Sequence, residues 1–167
     1  MIRHLLLAIS GRLPCRIISD GDQPYLERYY LCTVFGVRFY LHRFVGSDPD
    51  RGLHDHPWPW AFSIILAGWY WEQTRNKESL RRVRWFNFLT GDSFHRVILP
   101  SSQPLSCMAE SDMQCWTLFA HRARDVKKWG FLRDKGQLGM VFQPYRYPGG
   151  KNKEWWKTAP KGREIRS

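Results

Sequence analysis

The sequence predicts an all-β sandwich or barrel. Apolar and aromatic residues gather in about eight short runs bounded by Gly, Pro, Asp and Ser. No long segment sustains a 3.6-residue apolar period. Aromatic side chains, which suit a pleated, half-buried surface, make up 16% of the chain and include nine tryptophans.

The first twenty residues are poorly defined, a short strand or a helical turn. From Pro24 onward the chain reads as strands. Arg28 to Phe35 and Val37 to Phe44 flank Gly36, and the turn formers Gly46 to Gly52 follow. Trp60 to Leu66 is an apolar run, with Trp69 to Gln73 beyond Gly68. Arg82 to Phe88 reads as one strand, then the turn Thr90-Gly91-Asp92 leads to Phe94 to Leu99. Leu105 to Ala109 and Gln114 to Ala120 flank the turn Glu110-Ser111-Asp112. Residues 1–150 form a single domain with an amino-terminal lead-in. Residues 151–167 are a basic tail that contains Trp155 and Trp156 and is either a mobile arm or packed back on the barrel.

The 167 residues carry 26 Lys and Arg against 15 Asp and Glu, a net charge of +11. Such a field attracts anions, whether nucleotide, nucleic acid or phosphorylated ligand, or it only maintains solubility. No apolar run is long enough to span a membrane. The apolar stretch Leu5 to Ile9 is too short for a secretory signal, and Arg12 follows it closely. Cys15, Cys32, Cys107 and Cys115 show no CxxC spacing. They read as reduced thiols in a cytoplasmic protein. Nothing resembles a phosphate loop, a nucleophile elbow or a dinucleotide fingerprint.

Chemistry concentrates at His54-Asp55-His56. On a strand, residues i and i+2 share a face, so two imidazoles point into the barrel and can grip one metal ion while Asp55 points away. His95 begins a later strand that a closed barrel can bring beside the pair.

These residues resemble the cupin superfamily, small β-barrels whose first motif pairs two histidines with a glutamate and a closing glycine. Their second motif contains another histidine. His54 and His56 match the pair, Gly68 the closing glycine and His95 the later histidine. The departures are Ala61 in the glutamate slot, Leu99 in the asparagine slot, and Gly91 one residue too far from His95. The segments Tyr25 to Leu31, Tyr40 to Phe44, Leu53 to Trp58, Trp116 to Phe119 and Trp129 to Phe131 look like small cupins of phages and bacteria.

The resemblance implies a double-stranded β-helix, or jelly-roll barrel, and a homodimer in many members. It further implies a metal centre at His54, His56 and His95, which would also be the catalytic residues. Three imidazoles suit Fe(II), Zn, Ni, Mn or Cu and leave positions open. That resembles the three-histidine dioxygenases of the superfamily, so the expected function is a small-molecule enzyme. The alternative is a metal-free or non-catalytic cupin that binds an anionic ligand, such as a nucleotide or nucleic acid, through arginines and aromatics.

Expected substrate contacts are His42, Arg82, Arg84, Trp58 and Glu72. His42 alternates with Tyr40 and is either a ligand-orienting donor or a hydrogen-bonded core residue. Arg82 and Arg84 share a strand face and either receive an anion or are solvated. Trp58 stacks on a ligand or belongs to the core. Glu72 sits at the pocket mouth or in solvent. His121 reads as part of an exposed basic loop.

Overall fold

The computed structural model describes residues 1–75, 77–100, 114–146 and 154–166. The expected strand Leu105 to Ala109, its turn at 110–112, Cys107, Lys151 and Lys153 lie outside these residues. Helix α1 (Ile2–Ser10) precedes the strands β1 (Cys15–Asp20), β2 (Gln23–Val34), β3 (Val37–Phe44), β4 (Leu53–His54), β5 (Trp60–Ala67) and β6 (Tyr70–Thr74). Then come β7 (Lys77–Val83), β8 (Phe86–Thr90), β9 (His95–Ile98), β10 (Cys115–Arg122), β11 (Gly130–Asp134), β12 (Met140–Pro144) and the short helix α2 (Gly162–Ile165).

The strands pair antiparallel into two six-stranded sheets, in the orders β1-β2-β3-β10-β5-β8 and β12-β11-β4-β9-β6-β7. The chain crosses repeatedly from one sheet to the other, which gives the jelly roll. No helix among the described residues is long and apolar enough to cross a membrane.

Local sequence explains the connections. Phe35 and Gly36 form a two-residue hairpin loop, and both adopt positive φ, 48° and 71°. That backbone twist matches the flanking strands β2 and β3. Gly68, at φ 81°, turns the chain from β5 to β6, and a Cβ there would collide with the Gln114 carbonyl. The run expected as one strand from Arg82 to Phe88 is two strands, because the chain turns a corner at Arg84-Trp85. Helix α1 takes the place of the undefined lead-in.

The β1–β8 sheet carries a packed cluster on each face, though Phe86 and Phe88 of β8 remain exposed. On its outer face Leu6 of α1 packs with Cys15, Tyr29, Leu41 and Trp116. On its inner face Tyr40, Ala61, Leu89 and Phe119 form a cluster. A third cluster joins Tyr70, Val83, Val97 and Leu99 to Cys115 of β10.

The carboxy-terminal segment packs on this barrel. The amide of Cys15 donates to the Pro160 carbonyl at 2.8 Å, and Lys161 bridges to Pro14. Arg166 donates to Ser10 Oγ (2.9 Å), the Tyr29 hydroxyl (3.0 Å) and the Leu7 carbonyl (3.1 Å). Trp156 stacks on Tyr30 with ring centroids 4.3 Å apart.

Candidate metal centre

The barrel encloses a cavity of about 260 Å³. His54, His56 and His95 line it from the β12–β7 sheet. Strand β4 is short and lies between β11 and β9, so His54 pairs directly with His95 across the ladder. Directly paired residues point to the same face. His56 follows two residues later and turns inward as the alternation requires.

One ligand nitrogen from each histidine lies within 4.8 Å of the other two. His56 Nε2 is 3.0 Å from His95 Nε2. Cis positions around an ion with bonds of about 2.1 Å are separated by about 3.0 Å, so this spacing suits a common ion.

Neighbouring residues hold each imidazole. Asp55 points away from the cavity, as the alternation predicts, and is fully buried. It accepts from the Gly130 amide at 2.7 Å and pairs with Lys127 at 2.7 Å. This clamps the end of β4 to the start of β11. The Trp58 ring stacks on His56 with centroids 5.2 Å apart and on His121 at 3.6 Å. Trp58 therefore lines the cavity as a brace between two imidazoles.

Glu72 is not at the pocket mouth. It is 1% exposed and stands behind His95, its Oε1 accepting from His95 Nδ1 at 3.0 Å. Asn87 Nδ2 donates to it at 2.6 Å and Arg81 Nε at 3.1 Å. An ionised carboxylate only accepts, so the proton of His95 sits on Nδ1 and the Nε2 lone pair faces the cavity. Burial works against ionisation of Glu72, but the hydrogen bond and charge of His95, with Arg81 and Asn87, pull its pKa down to about 2.

Burial pushes His54 and His56 well below the usual histidine pKa, and the neighbouring histidines and Arg28 add to this. Both are neutral near pH 7, the form that donates to a metal. Asp48 Oδ2 lies 3.8 Å from His54 Nδ1, beyond hydrogen-bond range, and accepts from the Val97 amide at 2.7 Å. This set of three imidazoles, converging within one cavity wall, fits a divalent transition metal ion.

The remaining expected contacts divide. His42 lines the cavity from the opposite sheet, 2% exposed. Arg82 and Arg84 are a correction: both are exposed on and beside β7, at the margin of the other sheet, and neither lines the cavity. The Arg82 guanidinium lies 4.0 Å from the centroid of the outward Trp69 ring. Alternation explains this, since Val83 takes the inward position between them.

His121 is likewise not in an exposed loop. It ends the inward series Thr117, Phe119, His121 on β10 and is 1% exposed. Ala61 faces inward opposite Leu89 and His121, within the cluster that includes Tyr40 and Phe119. The site's carboxylate comes instead from Glu72 on β6. Sequence reasoning missed Arg28, Asp48 and Thr117 as cavity residues. The i, i+2 series on β10 was the available signal for Thr117 and His121.

No protein-family model and no curated protein sequence matches the chain. Solved structures do. A structure of the DMSP lyases RdDddP and RnDddQII superposes with a TM-score of 0.57 at 14% identity, covering 78% of this chain and 68% of the other. A cupin-2 domain protein from Rhodospirillum rubrum superposes with a TM-score of 0.52 at 14% identity, covering 73% and 76%. At this identity the likeness is one of fold. The chain has the cupin fold, and its three-histidine cluster occupies the interior of that barrel.

Proposed function

We propose that this protein is a metal-dependent enzyme acting on a small molecule, with Fe(II) at His54, His56 and His95 and an oxidative reaction. The observation that carries the reading is the convergence of three imidazoles on one point at the cavity wall. When bound, such an ion supplies a Lewis-acid and redox centre with positions left over for small ligands.

The chain's own residues would prepare that centre. Glu72 holds the proton of His95 at Nδ1 and so directs the Nε2 lone pair inward. Trp58 keeps the His56 ring from rotating, and Asp55 fixes the backbone between the two ligands.

Anaerobic loading with Fe(II), followed by nitric oxide as a probe of open iron positions, tests the reading. Wild type is expected to give a high-spin iron–nitrosyl EPR signal that His54→Ala lacks. Loaded iron without that signal, or an identical signal from His54→Ala, would overturn it.

The cavity arginines favour a second reading, a non-catalytic binder of an anionic ligand such as a nucleotide. That protein would bind its ligand equally well with and without metal. Nucleic acid as the partner would show affinity falling steeply with salt.

A further inference from the structure

The cavity wall facing the histidines carries a row of polar side chains to which the metal reading gives no task. Arg28 on β2 pairs with His42 on β3, and His42 pairs with Thr117 on β10. The three side chains therefore share the inner face, and all three line the cavity.

His42 is buried, and its Nε2 accepts from Arg28 Nε at 3.0 Å. Burial, with the charge of Arg28, keeps this imidazole neutral, so it can accept. That bond fixes the plane of the guanidinium, which lies 5.3 Å from the Tyr40 ring centroid. Beside it Thr117 is 1% exposed, and its hydroxyl has no hydrogen-bond partner among the described residues. A buried polar atom left without a partner points to a missing ligand or water. The wider lining agrees in sign: among the described residues it includes Arg16, Arg28, Arg38 and Arg51 and two carboxylates, Asp48 and Asp125, with Arg51 paired to Asp20 outside it. His54, His56 and His95 line the same cavity as this row, so both walls border one space.

We propose that the Arg28–His42–Thr117 row binds an oxyanion group, carboxylate or phosphate, of a small substrate whose other end reaches the histidine cluster. Arg28 supplies charge and a planar fork, Thr117 a hydroxyl donor, and His42 is the positioning residue that holds the fork. The role as substrate site rests on the proposed enzyme reading; the oxyanion site itself does not require metal.

The test is calorimetric titration of inorganic phosphate, and separately of succinate, into the chelator-treated full-length protein at low ionic strength. At least one anion is expected to bind, and which one does separates phosphate from carboxylate. Arg28→Gln should weaken binding roughly tenfold or more, and Thr117→Val severalfold. His42→Phe should weaken it, while His42→Gln, whose amide oxygen can accept from Arg28, should restore it. Arg82→Gln, an exposed arginine, should bind as wild type does.

Absence of binding by both anions in wild type would overturn the proposal. So would unchanged affinity in Arg28→Gln and Thr117→Val that melt as folded proteins. Should Arg28→Gln fail to fold, Arg28→Lys takes its place, keeping the charge without the fork; undiminished binding in it and in Thr117→Val overturns the proposal. Anion binding by the chelator-treated wild type distinguishes the two readings, because it holds whether or not the histidines take metal.

Discussion

Glu72 decides which nitrogen of His95 is free, although it belongs to another strand. Its carboxylate is satisfied by His95, Asn87 and Arg81 together, so it is held in place by three elements. Replacing it with Gln keeps the size and an accepting oxygen but removes the charge that fixes the tautomer. Glu72→Gln should therefore keep the barrel folded and weaken metal binding about 10- to 100-fold. A competitive chelator titration measures this, and unchanged affinity would show that Glu72 only fills space. At the same scale, alternation and the HxH spacing made His54 and His56 legible from sequence. Glu72 was visible as a residue but not in its role. Its partners lie 9, 15 and 23 positions away: the β6–β7 and β6–β9 pairings bring Arg81 and His95, and Asn87 comes from β8 of the facing sheet.

Among the elements, the carboxy-terminal segment and α1 support each other across the outer face of the β1–β8 sheet. Arg166 joins them, donating to Ser10, Tyr29 and the Leu7 carbonyl. Hydrogen bonds from a charged donor contribute about 1.5–3 kcal/mol each at most, and the loss is shared within a network. Arg166→Ala is expected to cost about 2 kcal/mol in urea unfolding and to leave metal content unchanged. A loss below a few tenths of a kcal/mol would mean that the segment docks through its backbone pairing and its tryptophans, without Arg166.

Strand β3 was legible to the residue because Gly36 opens an aromatic and β-branched run that the turn formers from Gly46 close. The β7–β8 corner was not, because Arg84-Trp85 contains none of the usual turn formers. Strand β4 is too short for any pattern, and its place comes from its neighbours β11 and β9. The exposed strand β12 offers no alternation of burial to read.

For the whole molecule, the buried histidines link stability to pH. His42, His54 and His56 all have folded pKa values pushed well below 6.5 by burial. The unfolded chain then binds more protons than the folded one as pH falls below about 6.5. Stability of the metal-free protein is therefore full above that pH and declines below it. The slope approaches about 1.4 kcal/mol per pH unit for each histidine. Glu72 contributes in the same direction but later, its stabilisation being lost as pH falls from the usual carboxylate range toward about 2. Urea titrations of chelated protein between pH 7.5 and 5, a range of roughly two units around the histidine value, measure the slope. A flat profile would mean that the imidazoles are hydrated and titrate normally. An all-β sandwich or barrel was legible from short strands and turn residues and the jelly roll from the cupin resemblance, whereas the strand order across two sheets depends on long-range pairing that no local pattern encodes.

The central claim is that His54, His56 and His95 form one metal centre. Elemental analysis of untagged protein, purified without chelator, tests it most directly alongside His54→Ala, His56→Ala and His95→Ala. The account predicts about one divalent transition metal per chain in wild type and near-complete loss in each variant, with all four proteins folded. Wild-type protein without bound metal, even after loading, or metal retained in all three variants would contradict it.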